Sequence, residues 1–89
     1  MDSEDRQRAE SRLEIVAGLL AALDSWPDVS QVVWQSADRR AAHAALRQRF
    51  DWPEHVTHYL LDMPLGRIHT LARADLAEEA AELRRLLST

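Results

Sequence analysis

Leu60 to Leu71 reads LLDMPLGRIHTL, and the breaks within it decide how the rest of the chain divides. Pro64 has no N–H to donate to the carbonyl of Leu60, and its ring clashes with that carbonyl, so a helix arriving from upstream weakens here. Gly66 adds backbone freedom two residues later. Upstream, Val56, Tyr59, Leu60 and Met63 recur at helical spacing and form one apolar face. Asp51-Trp52-Pro53-Glu54 precedes that face, with Asp51 expected as its cap and Glu54 at the third helical position. Downstream, Leu76, Ala80, Leu83 and Leu87 are spaced four, three and four apart. That spacing is a heptad seam, so a closing helix is predicted from about Ala72 to Leu87, with Glu82 and Arg85 paired on its outer side.

The same periodicity opens the chain. Ala9, Leu13, Val16, Leu20 and Leu23 are spaced four, three, four and three, which predicts an amphipathic helix from about Ser3 to Asp24, roughly 33 Å long, with Arg6 and Glu10 on its polar side. Gly18 costs that helix about 1 kcal/mol relative to alanine and is either simply tolerated or present to let another backbone approach. Ser25-Trp26-Pro27-Asp28 ends it and caps a second helix, whose buried face is Val29, Val32 and Val33. Trp34 is placed at the rim of the core, with an interface role as the alternative. Ser36 and Asp38 then cap a third helix with Ala42, Ala45 and Leu46 inside and Phe50 at its end. The expected architecture is all-α: an antiparallel pair of long first and last helices with about three short helices packed at the tip. Residues 1–89 are expected to form a single domain.

Bulk properties restrict function further. The net charge is −4 with a pI near 5.5, so the chain as a whole repels phosphate, and direct DNA binding by the chain alone is not expected. All 11 of its Lys and Arg residues are Arg, and the pairs Arg39-Arg40 and Arg84-Arg85 read as solvated helix faces. There is no cysteine, hence no disulfide, no thiolate nucleophile and no cysteine-based zinc site. The start MDSEDRQR lacks an apolar leader and no segment is apolar enough to span a bilayer, so a cytoplasmic protein is expected. At 89 residues the surface removed from water on folding is limited, which favours pairing with a second copy.

Two stretches carry a family resemblance. RLEIVAGLLAALD, from Arg12 to Asp24, and LLDMPLGRIHTL resemble the strings RLHIVEGLLIALD and ILDMRLRRLTGLE of the A subunits of bacterial gyrase and topoisomerase IV. The match runs without a gap from Arg12 to about Leu71. It includes Ile15, Val16, Gly18, Leu19, Leu20, Ala22, Leu23, Val29, Asp38, Arg39, Ala42, Leu46, Phe50, Asp62, Met63, Leu65 and Arg67. In that family the region is the end of a coiled-coil arm bearing a helical knob, where two subunits meet to form the exit gate for DNA. The resemblance therefore implies a non-catalytic, C-gate-like association module, with a homodimer expected; the alternative partner is the full-length A chain of a type IIA topoisomerase. The interface it implies is the fourth helix and the turn after it: His55, His58, Tyr59, Asp62, Pro64, Leu65 and Arg67. Tyr59, Pro64 and Thr70 depart from the family's usual small residue, Arg and Gly.

Candidate chemistry is sparse. Tyr59 is the sole tyrosine, with no activating base assignable, so no catalytic residue is expected. His55, His58 and Asp62 follow at steps of three and four on one helix, a spacing a metal could bridge, but they supply three ligands where structural zinc takes four; no metal or other cofactor is expected. His43 and His69 are expected at the surface. Arg12, Arg39, Arg40 and Arg67 could bind a dicarboxylate in a small helical enzyme only if they converged on one cavity.

Overall fold

The computed structural model describes residues 2–88, all-helical with no strand among them. Helix α1 spans Ser3–Asp24, α2 Trp26–Gln35, α3 Arg39–Phe50, α4 Glu54–Asp62 and α5 Arg73–Leu87, with a 3-10 helix at Leu65–Thr70 between the last two. Asp2 caps α1 by accepting from the Asp5 N–H at 2.8 Å, and Asp38 caps α3 by accepting from the Ala41 N–H at 2.9 Å. Ser36 is drawn elsewhere, its hydroxyl donating to the Val32 carbonyl at 2.7 Å.

Two expected caps are corrected. Ser25 makes no side-chain cap to α2, whose first turn instead contains Pro27 and so has one fewer N–H to satisfy. Asp51 does not cap α4: it ends α3, with φ 55° and ψ 38°, its N–H donating to the Arg47 carbonyl, and α4 starts at Glu54 after Pro53. Asp is among the few non-glycine types that enter the left-handed region readily, so it terminates the preceding helix.

Helices α1 and α5 lie against each other, and their polar contacts pair positions in reverse order. Arg6 Nη1 donates to the Leu87 carbonyl at 3.2 Å, Arg12 clasps both carboxylate oxygens of Glu79 at 2.7 and 3.0 Å, and Arg73 pairs with Asp24. Between them Val16, Leu19, Leu76 and Ala80 are buried, flanked by half-buried Leu13, Leu20, Leu23, Leu71 and Leu83. A second cluster, Ala22, Val29, Leu46, Trp52 and Val56, ties α1 to α2, α3 and α4. Thus α1 is covered on two sides, which is why Leu19 and Ala22 are buried although they lie off the heptad seam. Gly18 is the reason α4 can come so close: a Cβ there would meet Val56 Cγ1 at 2.4 Å.

The Arg12–Glu79 pair makes stability depend on acid. Hydrogen bonding from Arg12 holds the Glu79 carboxyl below its ordinary 4.5 in the folded chain. The stabilisation is therefore fully present above that value and lost as pH falls below it through the depressed folded value. Because the side chains are 43% and 38% exposed, screening limits the contribution to about 1 kcal/mol or less. Urea unfolding at about pH 7 and about pH 3 should show the parent more stable than Glu79→Gln at the higher pH, with the gap closing at the lower. A gap that does not change with pH would contradict this.

Candidate functional site

An α2 rich in apolar residues cannot bury all of them. Counting about 100° per residue from the buried Val29, Trp34 lies roughly 140° round the helix, on the opposite side from the core. Trp34 is 87% exposed and Val33 39%, so neither belongs to the core, correcting the expectation for both. The 3-10 helix brings up Leu65, 76% exposed, and has no buried residue of its own. Between these elements lies an apolar groove of about 320 Å³, walled by Trp26, Val33 and Trp34 on one side and Leu61, Met63, Leu65 and Ile68 on the other.

The seven residues expected at an interface fall on three sides of the molecule. On the α1 side, His55 Nε2 faces Glu14 Oε1 at 3.6 Å. Tyr59 is half-buried there, packed against the α1–α5 cluster. On the α3 side, Asp62 receives Arg39 at 2.8 Å, and His58 Nε2 stands 3.5 Å from Glu54. Pro64, Leu65 and Arg67 are exposed after α4, with Leu65 on the apolar groove. The exposed aromatic surface is therefore supplied by Trp34, not Tyr59.

The histidines also regroup. His55 and Asp62 are separated by nearly two helical turns, roughly 10 Å along the axis, and each has found another partner. His58 instead meets His43, with ring centroids 4.1 Å apart. His43 is half-buried and its Nε2 is buried with no hydrogen-bond partner, correcting the expectation of a solitary surface histidine. Burial, and after it the neighbouring His58, pushes the His43 imidazole below its ordinary 6.5, so the neutral form prevails at neutral pH. These rings lie in an open cavity of about 730 Å³ lined also by Arg39, Arg40, Arg47 and Glu54. Arg12 and Arg67 are not among its lining residues, so the four arginines considered from sequence do not converge.

Comparison with known proteins bears on the fold just described. Over 84 residues, 94% of this chain, the sequence is 34% identical to the DNA gyrase A protein of Streptococcus pyogenes. Over 77 residues, 86% of this chain, it is 36% identical to the DNA gyrase A protein of Campylobacter jejuni. The chain is similar to one segment of gyrase A. The gyrase A protein of Streptococcus pneumoniae is similar at 33% identity over 84 residues. The gyrase A-like chain spans only about a tenth of the length of these relatives, 9% to 10%. No protein-family model matches it. Many of the residues that carry the resemblance are interior ones, among them Val16, Leu19, Ala22, Val29, Ala42 and Leu46. Among the described residues, no helix is long and apolar enough to cross a membrane.

Proposed function

We propose that this gyrase A-like chain is a non-catalytic association module that pairs with a second copy of itself through the groove between α2 and the 3-10 helix. The observation that carries this is the exposure of Trp34, Leu65 and Val33 around one apolar depression. Apolar side chains presented together by a small folded chain mark an interaction surface, and an aromatic anchor facing a groove has the form of an interface hot spot. In a two-fold pair the same patch serves both copies, so Trp34 of each can seat in the groove of the other. The ion pairs Arg39–Asp62 and Arg49–Asp28 are mostly solvated and suit a polar rim. Likeness to gyrase A supports the same reading, since the resembling part of that family is where two subunits meet. Tyr59, half-buried against α1, serves packing rather than nucleophilic chemistry. The full-length A chain of a type IIA topoisomerase could take the place of the second copy on the same groove.

The absence of native cysteine permits a clean test. A Ser30→Cys chain, with the new thiol on the groove wall and both apolar anchors kept, is expected to give a covalent dimer with a short bis-maleimide, whereas Arg8→Cys, at the far end of α1, gives none. Equal yields from the two positions would place the contact elsewhere.

A further inference from the structure

We propose that His43, Glu54 and His58 form a binding site for a divalent transition metal, with zinc the best match, whose remaining coordination position opens into the arginine-lined cavity between α3 and α4. The three side chains offer two imidazole nitrogens and a carboxylate oxygen, all within 4.8 Å of one another. Two histidines and a glutamate are a complete protein ligand set for zinc with one position left for water or another ligand. Glu54 and His58 stand four apart on α4, so they share a helix face and already lie 3.5 Å from each other. His43 reaches them from α3. In a tetrahedral site with bonds of about 2.0–2.1 Å, ligand atoms stand roughly 3.4 Å apart, so atoms now up to 4.8 Å apart need to approach by about 1.4 Å at most, within the reach of side-chain rotation.

His43 supplies an independent reason. Its Nε2 is buried with no partner, and such an atom is rare in a folded protein unless something else satisfies it. A neutral imidazole nitrogen with no hydrogen-bond partner has a lone pair free to bind a metal. The arginines do not close the site to a cation. Arg39 is neutralised by Asp62 at 2.8 Å, Arg47 Nε donates to the Trp52 carbonyl at 3.3 Å, and Glu54 offsets half the metal's charge. The long contact between Arg39 and His58 Nδ1, 3.3 Å, gives way on binding while Asp62 retains the guanidinium. With Arg40 at the mouth, the open position favours an anionic fourth ligand, such as a carboxylate.

Zinc chloride titrated into the full chain in competition with a chromophoric chelator decides the matter, with circular dichroism confirming that each variant stays helical. Binding of one zinc per chain at micromolar or lower Kd is expected, weakened about 100-fold in His58→Ala and in Glu54→Gln and unchanged in His55→Ala. Should His43→Ala unfold, those two exposed positions still carry the test. Cobalt substituted for zinc should give the visible absorption of a four-coordinate site. The proposal is overturned if zinc binds only at millimolar concentration, if His55→Ala weakens binding as much as His58→Ala, or if inorganic phosphate occupies the cavity while zinc does not.

Discussion

Replacing Gly18 with leucine is expected to lower the unfolding free energy by about 3 kcal/mol, among the largest effects any single substitution in this chain should produce. The physical reason is the approach of α4 to α1. Even a methyl group at Gly18 would come within 2.4 Å of Val56 Cγ1, closer than real carbon atoms approach. Val56 is 1% exposed and β-branched on a helix, so its χ1 has little freedom to yield. The alanine variant separates this clash from helix propensity. Gly18→Ala gains about 1 kcal/mol of propensity and still has to displace Val56. In Val56→Ala the obstructing Cγ1 is gone, and the new alanine Cβ at Gly18 would sit 3.7 Å from the Cβ of residue 56, an ordinary contact. Urea unfolding of the single and double variants should therefore show favourable coupling of about 1–2 kcal/mol. Additive effects, or a Gly18→Leu chain as stable as the parent, would mean that α1 and α4 do not meet at this point.

The second large effect concerns association. Trp34→Ser combined with Leu65→Ser is expected to raise the self-association Kd by about 100-fold or more, since each anchor contributes on the order of 2 kcal/mol when its apolar surface is covered. Folding should be nearly untouched, because the two side chains are 87% and 76% exposed. Serine adds no charge to a chain that already carries −4, so a loss of pairing reflects lost apolar contact and not repulsion. Sedimentation velocity reads the mass change, and helicity by circular dichroism should match the parent. A double variant that pairs as tightly as the parent would remove the groove from consideration.

Periodicity made much of the helical layout legible. The limits of α1, Ser3 and Asp24, follow from a long heptad run closed by Ser25-Trp26-Pro27, and Leu76 and Ala80 of the closing seam are buried. What the pattern did not convey was competition between neighbouring elements. Asp51 stands between two helices and could serve either; its backbone took the left-handed turn that ends α3. After Pro64 the chain forms a 3-10 turn, in which residues three apart share a face, so Leu65 and Ile68 both line the groove.

The candidate site was less legible for a related reason. Residues on one helix can share a sequence stripe and still face different neighbours once α1 and α3 flank that helix. His55 went to Glu14, Asp62 to Arg39 and Tyr59 against the α1–α5 cluster, while His58 met His43 from a helix 15 residues upstream. No spacing rule links His43 to His58 without knowing how α3 and α4 pack. Trp34, by contrast, could have been found. Its angular position relative to Val29 already sets it apart from the buried stripe.

Self-association is tested most directly by sedimentation equilibrium of the unmodified chain across a dilution series from about micromolar upward, the range in which interfaces of modest area dissociate. A dimer persisting at low micromolar concentration is the predicted result. A strict monomer at every concentration would contradict self-pairing through Trp34 and Leu65.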